Sequence, residues 1–112
     1  MSLAKLILIR GLPGSGKTWL AEALKDRINA IHLNADYVRS TINSDLGFSI
    51  NDRIENARRL GEIAKMLSAQ GCNVVVDFIC PTKETRESFG KPDILIFMDT
   101  IQKGRFEDTN KM

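Results

Sequence analysis

The sequence predicts a three-layer α/β/α domain, in which a parallel sheet of about four strands lies between helices. Short apolar runs alternate along the chain with segments of helical periodicity. The first run, residues 6–9, is continuously apolar, as expected of a strand buried on both faces of a parallel sheet. A glycine-rich loop joins it to the first helical segment. The length of 112 residues suits one domain with one core, predicted as residues 1–112.

The glycine-rich loop has the spacing G-x-x-x-x-G-K-[ST] of a nucleotide-binding P-loop. Its glycines let successive amide N–H groups point at phosphate oxygens, and the helix N-terminus adds a positive dipole. Lys17 is predicted to reach the β- and γ-phosphates of ATP, and the Thr18 hydroxyl to hold Mg²⁺. The fold is therefore predicted to be that of P-loop NTPases. The predicted nucleotide-binding residues are Gly11, Leu12, Pro13, Gly14, Ser15, Gly16, Lys17 and Thr18.

The other elements follow from periodicity, helix caps and chain breaks. Ser49 and Asp52 match the [ST]-x-x-[DE] pattern that starts a helix, and Gly71 marks the end of that helix. Two pairs on its exposed side are predicted to form ion pairs: Glu55–Arg59 and Arg58–Glu62. In chain order, the predicted elements are strand 6–9, helix 19–28, strand 29–34, a short helix from Ala35, helix 50–70, strand 73–79, helix 84–89 and strand 93–98.

Composition argues against several classes of protein. A net charge of +2 gives no reason to expect a nucleic-acid or membrane partner. No apolar run approaches the ~20 residues of a membrane span, and no signal peptide is expected. Cys72 and Cys80 lack metal-ligand spacing and are predicted to be free thiols, which favours a reducing cytoplasm. Trp19 is predicted to pack, and residues 102–112 to form a loose tail.

Acidic residues follow the predicted strands at the edge where ligands bind in parallel sheets. Asp36 lies after the second strand, where it would either contact a bound substrate or cap a helix. Asp77 ends the apolar third strand, which is a Walker-B-like arrangement. It is predicted either to hold Mg²⁺ through water or to be a capping or salt-bridged residue. Because the N-K-x-D segment usual in GTPases is missing, the residues favour a small-molecule kinase.

Three longer motifs narrow the class of kinase. Residues 45–49 read D-L-G-F-S, residues 52–56 read D-R-I-E-N, and residues 78–83 read F-I-C-P-T-K. In these motifs and across residues 33–65 the sequence resembles the adenylylsulfate kinase family, and the similarity extends over about residues 7–100. The resemblance implies transfer of the ATP γ-phosphate to the ribose 3′-hydroxyl of adenylylsulfate.

The resemblance also assigns the acceptor site. Asp36 matches a carboxylate near the acceptor hydroxyl and joins Lys17 as a catalytic candidate. Phe48 matches an aromatic residue that stacks on adenine. The substrate-binding residues that it implies are Asp36, Arg39, Phe48, Arg53, Asn56, Ile79 and Cys80. Kinases of this type are often dimers, so a homodimer is a further expectation.

The sequence departs from the family in two ways. Asn34 stands where the family has a carboxylate, and Asp77 stands where it commonly has a small residue. Family members also continue well past residue 100 into a basic lid and a last strand, which the sequence is expected to lack. Two alternatives therefore stay open. One is a related P-loop kinase that acts on a polynucleotide or nucleoside hydroxyl, and the other is a non-catalytic nucleotide-binding module.

Some of these residues also have purely structural interpretations. Phe48 would staple the following helix to the core, and Arg53 and Asn56 would form a solvated helix face. His32 is expected to be structural, because it lies within a strand and has no partner pattern.

Overall fold

Helices and strands alternate along the chain in the computed structural model, which describes residues 4–80 and 82–98. Each predicted helix and strand is confirmed, and no end differs from its predicted position by more than two residues. The elements are β1 (Leu6–Gly11), α1 (Lys17–Ile28), β2 (Ala30–Asn34), α2 (Ala35–Ser40), α3 (Ile50–Ala69), β3 (Asn73–Phe78), α4 (Lys83–Phe89) and β4 (Ile94–Met98).

The four strands form one parallel sheet in the order β2-β3-β1-β4. In the register of β1 with its two neighbours, Leu8 lies opposite both Val76 and Leu95. In the register of β2 with β3, Asn34 lies opposite Asp77. The carboxyl ends of β1, β2 and β3 therefore meet at one edge of the sheet, where the candidate site lies.

Alternate residues of the two central strands face opposite layers, as the pleat of a strand requires. On one face, Ile9 and Val75 pack against Ala21 of α1. On the other face, Leu8 packs in a larger cluster with residues of α3 and α4. The predicted three-layer α/β/α fold is confirmed. The larger cluster consists of Leu6, Leu8, Ala35, Val38, Ala57, Leu60, Ala64, Val74, Val76, Cys80 and Phe89.

Helix α3 starts where its cap pattern predicts, since the Ser49 hydroxyl accepts a hydrogen bond from the Asp52 amide at 3.1 Å. The predicted Glu55–Arg59 ion pair is confirmed at 2.8 Å. The predicted Arg58–Glu62 pair is wrong, because Arg58 donates instead to Glu55, three residues earlier on the helix. Hydrogen bonds from Arg58 and Arg59 lower the pKa of Glu55 to about 2.

Helix α4 lies unusually close to α3. A Cβ atom at Gly61 would lie 2.0 Å from the carbonyl oxygen of Phe89, so only glycine fits between the two helices there. Reciprocal hydrogen bonds between Thr82 and Thr85 cap the start of α4. This packing brings Thr85 to the wall of the candidate site.

Strand β4 forms one edge of the sheet that the structure describes, and its Leu95 and Phe97 are half-exposed. The prediction for residues 102–112 lies outside the described residues. Within residues 4–80 and 82–98, no helix combines the length and apolar character that crossing a membrane needs.

Candidate active site

The P-loop turns between β1 and α1 with two glycines in left-handed backbone conformations, Gly14 at φ 82° and Gly16 at φ 95°. Helix α1 begins directly at Lys17, whose side chain is buried and donates from Nζ to the Leu12 carbonyl at 3.2 Å. The loop thus closes around its own lysine. This arrangement presents backbone amides and a positive charge at the helix N-terminus, which suits phosphate binding.

Ser15 provides a second observation that fits phosphate binding. Its Oγ atom is buried and has no hydrogen-bond partner among the described residues. A buried hydroxyl without a partner is costly, and few occur in folded proteins. A phosphate oxygen in the loop would supply the acceptor that Ser15 lacks.

Two cavities lie side by side at the carboxyl edge of the sheet. The smaller, of about 70 Å³, is lined by Lys17 and Thr18 of the P-loop together with Asp77. The larger, of about 190 Å³, contains most of the predicted acceptor-site residues and also Thr85, which sequence reasoning missed. Ala35, Asp36, Phe78 and Ile79 line both cavities. The larger cavity is lined by Ala35, Asp36, Arg39, Phe48, Arg53, Asn56, Phe78, Ile79 and Thr85.

Asp36 lies at the junction of the two cavities, in the first turn of α2. The alternative that Asp36 caps this helix is wrong, because Asn34 holds the cap position and its Oδ1 accepts from the Tyr37 amide at 2.9 Å. Asp36 is exposed. A carboxylate in this position is placed to contact groups bound in either cavity.

The larger cavity contains an aromatic residue that two arginines contact, one at the ring and one at the backbone. The Arg39 guanidinium carbon lies 3.9 Å from the centroid of the Phe48 ring, and Arg53 Nε donates to the Phe48 carbonyl at 2.9 Å. The staple interpretation of Phe48 is wrong, because this side chain is 63% exposed and anchors nothing in the core. Guanidinium groups bind adjacent anions well, and an exposed ring offers a stacking face.

Asn56 differs from Arg53 in its surroundings. Arg53 is exposed, as a solvated helix face requires, whereas Asn56 is buried and its Oδ1 accepts from Asn43 Nδ2 at 2.9 Å. The solvated-face interpretation is therefore wrong for Asn56. Asn43, which fixes the Asn56 amide in the cavity wall, has no motif that would reveal it in the sequence.

The structure does not bring Cys80 to either cavity. Its side chain belongs to the core cluster beside Phe89, and burial raises the pKa of its thiol. The residue has φ 46°, so the chain turns sharply after β3 and carries this side chain inward. The prediction that Cys80 contacts substrate is therefore wrong. Ile79, in contrast, lines both cavities. Both cysteines are free thiols, as expected.

Trp19 lies on the surface beside the P-loop. The prediction that it packs is wrong, because the side chain is 75% exposed. It lines an open cavity of about 320 Å³ beside Gly14, Gly16, Lys17 and Thr18. Since Trp19 follows the first two residues of α1, the helix turns it away from the core and toward the mouth of the loop.

Asp77 is buried and contacts two residues of β2. Asn34 Nδ2 lies 2.9 Å from its Oδ1 and 3.2 Å from its Oδ2, and His32 Nε2 lies 2.5 Å from Oδ2. His32 Nδ1 contacts Glu22 of α1, and this hydrogen bond lowers the pKa of Glu22. Both ring nitrogens of His32 therefore face carboxylates, one on α1 and one on β3. No pattern in the sequence reveals these two partners of His32.

The donor set fits a magnesium ion that arrives with a nucleotide. In the part of the chain that the structure describes, no three His, Cys, Asp or Glu side chains are grouped to hold a metal by themselves. Mg²⁺ in nucleotide sites keeps several waters and takes only one or two protein ligands besides phosphate oxygens. Thr18 and Asp77, which line the same cavity, would supply those oxygens.

Comparison with known proteins gives a consistent result. A family model described as adenylylsulphate kinase matches residues 3–100. The adenylyl-sulfate kinase of Bacillus licheniformis is 44% identical over 88 residues, which cover 74% of this chain and 45% of that protein. The adenylyl-sulfate kinase of Bacillus pumilus is 43% identical over 108 residues, covering 92% of this chain and 51% of that protein. The chain thus spans about half the length of these curated relatives.

A solved structure is similar over nearly the whole chain. The APS kinase CysC of Mycobacterium tuberculosis, in complex with AMPPNP and APS, superposes with a TM-score of 0.83 at 31% identity. The match covers 99% of this chain and 72% of that chain. The similarity therefore includes both cavities and the sheet edge between them.

Proposed function

The chain belongs to the adenylylsulphate kinase family, and on that premise we propose that it phosphorylates the ribose 3′-hydroxyl of adenylylsulfate with ATP. The observation that carries the proposal is the position of Asp36, at the junction between the P-loop cavity and the cavity of Arg39 and Phe48. A phosphoryl donor in one cavity and an acceptor hydroxyl in the other would meet beside this carboxylate.

The P-loop side of the site would bind ATP. Its amides, the Lys17 ammonium and the Ser15 hydroxyl would contact phosphate oxygens. Thr18, and Asp77 through water, would hold Mg²⁺, which when bound neutralises charge on the β- and γ-phosphates. Burial of Lys17 strengthens its attraction for phosphate, because less water screens the charge.

Asp36 would act on the acceptor. In the transfer, the ribose 3′-oxygen bonds to the γ-phosphorus, the bond from that phosphorus to the β–γ bridging oxygen breaks, and ADP leaves. The hydroxyl proton would pass to Asp36, which would act as the general base. The products are ADP and 3′-phosphoadenylylsulfate.

The larger cavity would select adenylylsulfate. Arg39 and Arg53 supply two guanidinium groups for the adjacent phosphate and sulfate, and Phe48 offers a ring for the adenine. Asn56 would donate to the ribose or the anions, and the backbone at Ile79 would complete the contacts.

A direct assay tests the activity. The protein is incubated with Mg²⁺, ATP and adenylylsulfate, and the 3′-phosphorylated product is measured by anion-exchange chromatography. We expect product from the natural sequence, and a loss of at least about 100-fold with Lys17→Ala. Equal product from both proteins, or none from the natural sequence, would contradict the proposal.

Acceptor identity has its own test. Calorimetry with adenylylsulfate, in the presence and absence of ADP, measures the acceptor site without requiring turnover. Arg53→Ala should weaken this binding while leaving ADP affinity unchanged. A kinase that acts on a polynucleotide or nucleoside hydroxyl would show no adenylylsulfate binding, and a non-catalytic module would bind ADP without forming product. A homodimer and a cytoplasmic location stay predictions, the first of which light scattering would test.

A further inference from the structure

Asp77 belongs to a chain of contacts that crosses three elements. Glu22 of α1 contacts His32 of β2, and His32 in turn contacts Asp77 of β3. Asn34, also on β2, donates to both carboxylate oxygens of Asp77. Nothing in the proposed reaction uses Glu22, His32 or Asn34 directly.

The hydrogen-bond count at Asp77 shows how little freedom this carboxylate has. A carboxylate has about four acceptor positions on its two oxygens. Asn34 occupies one on each oxygen, and His32 occupies the second on Oδ2. Among the contacts of the described residues, one position on Oδ1 is left for a group in the cavity that Asp77 shares with Thr18.

The other end of this chain of contacts reaches Thr18. Glu22 lies four residues after Thr18 on α1, so both side chains lie on the same face of the helix, one turn apart. Helix α1 carries the Thr18 hydroxyl, and the His32–Glu22 contact therefore holds this helix against β2. His32 side-chain exposure is 8% and that of Asp77 is 4%, so the link between them is shielded from water.

We propose that His32 and Asn34 are positioning residues that hold Asp77, and through Glu22 also Thr18, in the relation needed for the magnesium ion of the nucleotide. The inference rests on the proposed use of Mg²⁺ and ATP. His32 holds the Asp77 carboxylate through Nε2 and holds helix α1 through the contact of Nδ1 with Glu22. Asn34 donates to both oxygens of Asp77 and so prevents the carboxylate from rotating. Neither residue contacts the ion. Partners of this kind typically change metal affinity by 10- to 100-fold when they are replaced.

The experiment compares ADP affinity with Mg²⁺ and with EDTA, measured by calorimetry on the full chain. The dissociation constant of ADP in EDTA, divided by the dissociation constant in Mg²⁺, measures how much the ion strengthens ADP binding. We expect His32→Ala and Asn34→Ser each to lower this ratio about tenfold while leaving ADP affinity in EDTA unchanged. Asn34→Ser removes the amide donor to Asp77 without adding a charge, and serine still caps α2, so loss of the cap does not explain its effect. Glu62→Gln, which removes an exposed ion pair with Lys65, is the matched control and should leave the ratio unchanged.

Thermal melting without nucleotide reports folding, and His32→Gln keeps a donor for Asp77 if His32→Ala fails to fold.

Two results would overturn the inference. One is a ratio unchanged by His32 and Asn34 substitutions, including an equal loss of ADP affinity with and without Mg²⁺, which is the signature of a merely structural role. The other is a natural sequence whose ADP affinity does not depend on Mg²⁺. Failure of the proposed function looks different, since it would leave the ratios as expected while no phosphorylated adenylylsulfate forms.

Discussion

Phe48 shows how a single residue is shaped for recognition at a cost in packing. Its ring is mostly exposed, yet it is held on one side by the Arg39 guanidinium and at its backbone by Arg53. A large aromatic side chain left in water loses the free energy that burial in the core would provide. A flat ligand that covers the ring would recover that free energy on binding.

Replacement of Phe48 by alanine tests this interpretation. We expect Phe48→Ala to weaken adenylylsulfate binding about tenfold, because stacking of a base on an aromatic ring contributes about 1–3 kcal/mol. ADP affinity should not change. Calorimetry measures both affinities. Ile50→Ala removes another exposed apolar side chain, outside either cavity, and is the control. Equal effects of the two substitutions would argue against stacking.

Helix α3 is the element that joins the acceptor cavity to the rest of the fold. Its first turns carry Arg53 and Asn56 into the cavity wall, and its middle packs against α4 through Gly61. Arg59 ties it to the preceding loop through Asp45 at 2.8 Å. The position of the acceptor site therefore depends on contacts made along most of this helix.

Gly61→Ala should be strongly destabilising. The added methyl group would lie 2.0 Å from the Phe89 carbonyl oxygen, so α3 and α4 would have to separate. We expect a loss of about 3 kcal/mol in the free energy of unfolding, measured by urea denaturation. Gly71→Ala is the matched control, because a Cβ there meets nothing within 4 Å and only its φ of 93° is strained. It should cost about 1 kcal/mol. A smaller loss for Gly61→Ala than for Gly71→Ala would contradict the packing argument.

The acidic residues around Arg59 predict how stability depends on pH. Hydrogen bonds from Arg58 and Arg59 lower the pKa of Glu55 to about 2, and Arg59 lowers the pKa of Asp45. Lowered carboxyl pKa values mean that these pairs stabilise the folded state above about pH 4.5. That contribution is lost as the pH falls toward 2.

Thermal melting followed by circular dichroism measures this dependence. The natural sequence should melt at progressively lower temperature from pH 4.5 to pH 2, and Glu55→Gln should show a flatter curve over that range. Because the pairs are exposed, the difference between the proteins should shrink in 1 M salt. A difference that persists undiminished in salt would mean that the effect does not come from these ion pairs.

The whole molecule brings donor and acceptor sites together at one edge of a sheet. The P-loop follows β1, Asp36 follows β2, and Ile79 follows β3, and these three strands are neighbours. Nucleotide binding to this edge would contact elements on both sides of the central strands. A ligand that binds only the folded chain stabilises the entire domain by mass action.

Melting with nucleotide tests the site at this scale. ADP with Mg²⁺ at about 100 times its dissociation constant should stabilise the fold by about 2.7 kcal/mol. For a domain of this size that corresponds to a rise in melting temperature of roughly 10 °C. Lys17→Ala should reduce the shift at the same ADP concentration to near zero, while changing the melting temperature without nucleotide little. An unchanged shift in this variant would show that ADP binds elsewhere.

Much of the architecture follows from local sequence. The caps at Ser49 and the break at Gly71 place the ends of α3 to within a residue, since a helix end depends on hydrogen bonds to residues only a few positions away. The P-loop is equally local. Periodicity does not predict which glutamate Arg58 contacts, because Glu55 and Glu62 are both within its reach on the helix. The structure shows the pair with Glu55.

The family, the order of the elements and the nucleotide loop can be predicted from the sequence, because each depends on short motifs and on neighbours along the chain. The contacts of His32 and Asn34 with Asp77 span 45 and 43 residues and arise from tertiary packing. Tertiary packing also turns Cys80 inward and places Asp36 between two cavities. These outcomes depend on strand order and register, which bring distant residues side by side, and no local pattern in the chain specifies them.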